Sequence, residues 1–360
     1  MRVLVIGAGA VGGCAALRLA EAGVEVTLLT QQEPADTLSA HSFGWVNAID
    51  NKHTGYYELS VEALAAHERL AADTVDAPQW LFRKGNLHWG SDEASADAQR
   101  LVADRYHELG YQVEGKMPSE VLRDLEPGLS LENVVGPVHF YPNDRHVLGG
   151  LMLSAVLARA RAAGVRVRSG ERAEGVSGSS VRLRSGAEIT ADAVLCCAGR
   201  GNVDLIPDLP LLPPGVPERL TRGLLVRTTP VAEPVTRVIH APGLSIRPHT
   251  GNRLVLHCHD LDRTLTEDPD ADALAQRVLA RLPHVLPGAA GARVENVFVG
   301  VRPMPSDGMS IIGPVPGNDG CYVIATHSGV SLGPVLGEIA AQEVLGTPHP
   351  LAEPFRPTRF

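Results

Sequence analysis

Lysine is nearly missing from this chain: among its 360 residues only Lys52, Lys84 and Lys116 occur, and none follows position 116. Almost all positive charge is therefore guanidinium, which suits fixed bidentate pairing with carboxylate or phosphate better than a diffuse basic coat. Basic charge is also in deficit, 32 residues against 41 acidic ones for a formal net charge of −9. That balance argues against nucleic acid or an anionic membrane as the main partner. Cysteine is sparse and unpatterned. Cys14, Cys196, Cys197, Cys258 and Cys321 are odd in number and lack a repeated metal-type spacing, so a reducing, cytoplasmic setting fits them better than a disulfide framework. Long apolar runs are missing too, since no stretch reaches the roughly 18 residues that a membrane-spanning helix needs. The apolar start is broken by glycines at 7, 9, 12 and 13 and lacks a signal-type cleavage site.

What is present is a succession of short β-rich and helical segments. Val3-Leu4-Val5-Ile6 reads as a strand, a glycine turn follows, residues 11–22 have helical spacing up to Gly23, and residues 24–29 read as a second strand. This is the length of a parallel strand–helix–strand crossover. A second crossover begins with a helical stretch over 148–163 and the run Val165-Arg166-Val167-Arg168. Residues 181–184 then alternate like a half-exposed strand that Ser185-Gly186 turns into a hairpin, and residues 193–198 form a continuous apolar run, as buried parallel strands do. Five prolines between positions 207 and 217 mark a crossing between lobes. Strands separated by turn signals over 224–260 indicate an antiparallel sheet, residues 271–282 one amphipathic helix, 321–325 a strand and 333–345 a last helix.

Gly7-Ala8-Gly9-Ala10-Val11-Gly12 fits G-x-G-x-x-G at the junction of a strand and a helix, the context in which that motif binds a dinucleotide. Gly7 serves the tight turn, Gly9 the approach of a diphosphate and Gly12 close helix–strand packing, while the helix N-terminus offers free N–H groups to the anion. The motif alone does not separate NAD from FAD. The position that usually carries an acidic grip on the ribose reads Thr30, followed by Gln31 and Gln32, so the grip is neutral unless Glu33 replaces it. His257-Cys258-His259 would place two imidazoles on one strand face, but without a third ligand group it reads as an edge strand with polar faces, and no metal is expected.

Four stretches taken together carry more than the motif does. They are the glycine motif; Ser39-Ala40-His41-Ser42-Phe43-Gly44-Trp45-Val46-Asn47-Ala48; residues 191–199; and a C-terminal region with Gly300-Val301-Arg302-Pro303, Asp307-Gly308, Ile312-Gly313 and Thr326-His327-Ser328-Gly329-Val330-Ser331-Leu332-Gly333-Pro334. With these the chain resembles, over almost its whole length, the FAD-dependent oxidoreductases of the D-amino-acid oxidase, glycine oxidase and sarcosine oxidase type. The resemblance implies an α/β fold: a Rossmann-like FAD-binding domain of the glutathione reductase type, built from 1–48, 143–215 and 297–360. A mixed α+β substrate domain with an antiparallel sheet would take 49–142 and 216–296. It further implies noncovalent FAD, because Met304 stands where some relatives carry a flavin-linked cysteine and the alignment of His41 does not support a histidyl link.

FAD contacts are implied for Gly7, Gly9, Ala10, Val11 and Gly12; for Thr30 and Gln31; for Ser39, Ser42, Phe43 and Gly44; for Ala173; for Cys197, Ala198 and Gly199; and for Arg302. Ser328, Gly329, Val330, Ser331 and Leu332, leading into the last helix, would aim an N-terminus at the negative charge of a reduced flavin. Arg302 would hold a substrate carboxylate bidentately with the Cα hydrogen toward flavin N5, or else pair structurally with an acid such as Asp307. His327 and His259, with His257, are the remaining candidates near the reacting centre, and no general base is demanded. The expected reaction is oxidation of a carbon–nitrogen bond in a small amine or amino acid. Three readings stay open: the same flavin chemistry on a 2-hydroxy acid, a flavin-binding protein without catalysis, and an NAD(P) reductase of the ketopantoate reductase-like type. The last predicts a mainly helical C-terminal domain.

Overall fold

A computed structural model describes residues 1–49 and 54–360; Lys52 and the residues just past the 48/49 boundary lie outside it. The first crossover forms as its pattern dictates. Strand Arg2–Ile6, helix Ala10–Glu21 and strand Glu25–Thr30 follow one another, and the two strands pair in parallel. A six-stranded sheet grows around them in the order Ile311–Pro314, Cys321–Ala325, Ala193–Cys196, Arg2–Ile6, Glu25–Thr30, Arg166–Ser169, parallel except at the Ile311–Pro314 edge. Its central strands read as unbroken apolar runs because helices cover one face and a three-stranded hairpin sheet, Ala173–Ser177, Ser180–Leu183 and Glu188–Thr190, lies on the other. The second lobe is an eight-stranded, mainly antiparallel sheet ordered Val294–Val301, Arg222–Thr228, Arg253–His257, Leu244–His249, Val238–Ala241, Asn86–Gly90, Val135–Tyr141, Glu114–Lys116. One of its faces packs on helix Ala271–Leu279 to form a separate apolar core. This strand-rich lobe overturns the mainly helical C-terminal domain that the NAD(P) reductase reading required.

Several boundaries shift, each for a packing reason. The division at 297 falls inside strand Val294–Val301, which is paired along its length with Arg222–Thr228 in the eight-stranded sheet. The division at 49 is likewise displaced: helix Thr54–Asp73 and strand Leu81–Phe82 send Tyr56, Leu59, Ala66, Leu70 and Leu81 into the core of the nucleotide-type lobe. The helix expected over 271–282 ends at Leu279, with a separate turn at Leu282–Val285. The last helix begins at Gly329, four residues before its expected start. The strand carrying His257 is interior, paired on both sides, and stops there; Cys258 is extended and His259 opens a short helix, so the two imidazoles do not share a strand face.

Candidate active site

Sterics at the glycine turn leave no choice of residue. Gly7 has φ +106°, and a Cβ there would stand 2.4 Å from the Cys197 carbonyl oxygen. A Cβ on Gly12 would stand 1.9 Å from the Gly7 carbonyl oxygen, so this glycine lets helix and strand touch. At Gly9 the only close neighbour is Ser39 Oγ, at 3.1 Å, leaving the turn open for an approaching group. Helix Ala10–Glu21 has no side-chain cap, and Ser39 Oγ accepts from Ala10 N at 3.0 Å, which places the expected flavin-side loop directly over the helix start. Thr30 is buried with its hydroxyl donating to Gln32 O at 2.7 Å, and Gln31 is exposed. Ala173 starts the hairpin sheet beside Leu183. Past strand Ala193–Cys196, Cys197 N donates to Ile6 O while Asn202 binds Ala198 N and Ile324 O, holding the 197–199 turn against the neighbouring strands.

The last helix delivers a second uncapped N-terminus to the same place. Gly333 and Gly337 press on Ala10 and Cys14 so closely that a Cβ at either would sit 3.2 Å or 2.7 Å from them, which aligns the starts of helices Gly329–Val344 and Ala10–Glu21. Ser328 is the N-cap position and makes no side-chain cap bond, so no capping side chain takes the first-turn N–H groups of 329–331. His67, fully buried on helix Thr54–Asp73, donates from Nε2 to Ser331 O at 3.0 Å, and Ser331 Oγ donates to Trp45 O at 2.8 Å. Burial, the dominant effect, pushes the His67 ring down to about 4, so it is neutral and works as a donor strut.

The face of the eight-stranded sheet that turns away from helix Ala271–Leu279 meets the 39–48 loop. Cross-strand register puts His257, Ser245, His240 and His88 in one row. The rings of Phe43 and Trp45, from the 39–48 loop, lie over it: Phe43 is 5.9 Å from His257, and Trp45 is 4.2 Å from His240. Asp144, buried, accepts from Trp45 Nε1 at 2.8 Å and fixes that indole. Arg302 follows the outermost strand and donates to Asp262 at 3.2 Å, to the Arg222 carbonyl at 3.4 Å and to the Leu220 carbonyl. Asp262 also accepts from His257 Nε2 and from Leu224 N, both at 2.8 Å. The structural partner of Arg302 is thus Asp262, not Asp307, which is bound by Arg359 at 2.7 Å.

His259 meets His257 edge-on at 4.5 Å and keeps an open side to solvent. His327 stacks near Tyr56 at 6.1 Å with a buried Nδ1 that has no partner. Both rings are lowered to about 4, by burial first, and the Arg302 guanidinium pushes each in the same direction. His41 stacks on Phe298 at 4.2 Å. Among the described residues no group of three or more His, Cys, Asp or Glu is arranged to hold a metal, and no helix is long and apolar enough to cross a membrane. All five cysteines are unpaired and buried.

These features fit a flavin dinucleotide. The open glycine turn and two aligned, uncapped helix starts offer N–H groups to the anionic parts of such a group, and an orphaned His327 nitrogen sits beside the second start. Fold and site define an oxidoreductase of the dinucleotide-binding α/β class with an attached antiparallel substrate sheet. A family profile described as "DAO: FAD dependent oxidoreductase" matches residues 2–343, and the chain belongs to that family of FAD-dependent enzymes. It is 29% identical to the tRNA 5-methylaminomethyl-2-thiouridine biosynthesis bifunctional protein MnmC of Thiobacillus denitrificans, over 99% of this chain but 59% of that protein. It is 26% identical to a glycine oxidase of Pseudomonas aeruginosa, over 98% of this chain and 97% of that one. In fold it is similar to the crystal structure of glycine oxidase from Geobacillus kaustophilus, with a TM-score of 0.86 at 22% identity and coverage of 100% and 99%.

Asp262, His67 and Arg247 were not singled out from the sequence. The first two act through partners 40 and 264 positions away, which no local pattern encodes. Arg247 did leave a signal: Leu244, Ile246 and the polar Ser245, Arg247 and His249 alternate with period two.

Proposed function

We propose that the protein dehydrogenates a small amine or amino acid, moving a hydride from the carbon beside nitrogen to FAD and leaving an imine. Bound FAD supplies the two-electron acceptor. The observation that carries the reading is the charge pattern of the sheet face: a guanidinium at Arg302, steadied by Asp262, surrounded by imidazoles that burial keeps neutral. Arg302 retains donors not used by Asp262 and orients a substrate carboxylate with them. The positive field of the arginine together with neutral His259 and His327 favours an unprotonated substrate nitrogen, whose lone pair assists loss of hydride, so no side chain need act as a general base. Phe43 and Trp45 cover the face and exclude water from it.

Within this reading the stretches 1–48, 143–215 and the chain after 301 hold FAD without a covalent link, the eight-stranded sheet holds substrate, and the unpaired cysteines support a cytoplasmic setting. The test is the nitrogen product. Turnover of a primary amino acid and of the 2-hydroxy acid with the same carbon skeleton yields the same 2-oxo acid, but only the first releases ammonia. Ammonia in step with 2-oxo acid supports amine oxidation; 2-oxo acid from the hydroxy acid alone refutes it.

A further inference from the structure

Three arginines near the substrate face have found an acid: Arg302 with Asp262, and Arg227 and Arg253 with Glu295 at 2.9 Å each. Arg247 has not. It sits on strand Leu244–His249 with only 3% of its surface exposed; its Nη1 donates to the carbonyl of the adjacent Pro248 at 2.7 Å, and its Nε has no partner. Among the described residues no carboxylate lies within ion-pair distance of it. Burial alone pulls its guanidinium down to about 9, still charged at neutral pH. The rings that feel its charge, His146 and His249, are themselves held at about 3 and about 4, by burial first, so neither brings a compensating charge.

Its place in the fold puts this charge on the same sheet face as the candidate site. Ser245, two residues before Arg247 and on the same side of the strand, belongs to the row of His257 and His240; one pleat repeat, roughly 7 Å, separates the two positions. His146 pairs with Trp45, so the flavin-side loop and its neighbouring strand lie against the arginine. Leu244 and Ile246, pointing the other way, fill the core of the sheet lobe and fix the orientation of Arg247. A buried guanidinium without a counterion is unfavourable in the free chain and becomes favourable when an oxyanion enters.

Resting on the amine-oxidising reading, we infer that Arg247 receives a second anionic group of the substrate, so that the preferred amine is a dicarboxylate gripped by Arg302 at one end and Arg247 at the other. Arg247 is a specificity residue, and it sets which amine is taken rather than how the hydride leaves.

The test uses the FAD-loaded protein and acids that cannot be oxidised. Glutarate and valerate, then succinate and butyrate, are titrated while the flavin absorption difference is followed. The wild type should bind each dicarboxylate at least tenfold more tightly than its monocarboxylate partner. Arg247→Met should erase that preference while changing monocarboxylate affinity less than twofold, and its unliganded melting temperature should rise, because an uncompensated buried charge is gone. Arg247→Gln serves as a second variant if the methionine protein does not fold. Equal affinity for both acids in the wild type, or a preference that survives in Arg247→Met or Arg247→Gln, overturns the assignment. Failure of the amine reading is distinguishable: flavin that no amine reduces, in a protein that still prefers dicarboxylates through Arg247, removes the reaction and leaves the anion site standing.

Discussion

Replacing Asp262 by asparagine separates the two tasks of Arg302, being held and holding. The carboxylate is 1% exposed at the side chain; its Oδ2 takes Arg302 Nη2 at 3.2 Å and His257 Nε2 at 2.8 Å, and its Oδ1 takes Leu224 N at 2.8 Å. Asparagine keeps the acceptor for Leu224 but cannot accept from both other donors, and it removes the charge. A hydrogen bond to a charged group contributes about 1.5–3 kcal/mol, and the Arg302 side chain is a quarter exposed, so solvent screens part of that loss. About 3 kcal/mol of destabilisation follows for the pair of bonds. With an unfolding entropy of about 2 cal/mol/K per residue over 360 residues, the melting temperature should fall by roughly 4 °C. Arg302, freed of its internal counterion, should then bind an external carboxylate more tightly by about one charge-assisted bond, or roughly tenfold in Kd. Butyrate titrated against the flavin absorption of wild type and Asp262→Asn reads this directly. A folded, FAD-containing variant whose butyrate affinity is unchanged or weaker would refute the role of Arg302 as carboxylate anchor.

Arg302→Lys keeps the charge but loses the planar fork, so kcat/KM for amino-acid substrates should drop by roughly ten- to a hundredfold with FAD retained, checked by steady-state kinetics beside the flavin spectrum. Gly12→Ala forces a Cβ into the space of the Gly7 carbonyl, at 1.9 Å, and the purified protein should be colourless with no recovery on adding FAD; a yellow Gly12→Ala protein contradicts the packing argument. Acid should destabilise the fold through its buried imidazoles. His67 and His146 titrate at about 4 and about 3 in the folded chain against about 6.5 when unfolded, so the unfolded state binds more protons in between and stability falls as pH drops from 6.5 toward 4. Each ring can contribute up to about 3 kcal/mol of that loss. Urea midpoints at pH 7 and pH 5 should differ accordingly, and the difference should shrink in His67→Gln.

The parts of the fold legible in the sequence were those whose cause is local. The strand before Gly7, the helix after it and the stop at Gly23 follow from spacing and from glycine's reach to positive φ, and the structure reproduces them closely. The start of the last helix was hidden because Ser328 and Gly329 read as part of a glycine-bearing loop that ran up to Gly333. Pro334 cannot donate to the carbonyl four residues earlier, and the structure accepts it because His67, from another helix, binds at the Val330 and Ser331 carbonyls instead. The boundary at 297 was placed inside a strand because nothing in Val294–Val301 marks which sheet it joins; register with Arg222–Thr228 decides that. At the site, Arg302 was visible as a conspicuous guanidinium beside proline, whereas its partner Asp262 was not, since charge pairing across strands has no sequence period. Arg247 shows the same limit: alternation told that it shares a face with Ser245 and His249, but only the packing of the two lobes tells that this face meets the flavin-side loop.

The central claim is tested most directly by the visible spectrum of the purified protein, recorded before and after anaerobic addition of one amine substrate and its hydroxy-acid counterpart, with dicarboxylic pairs included. Oxidised flavin bands are expected in the protein as isolated or after adding FAD, bleached by the amine and untouched by the hydroxy acid. Bands that only the hydroxy acid bleaches, or that neither does across the panel, would contradict that claim.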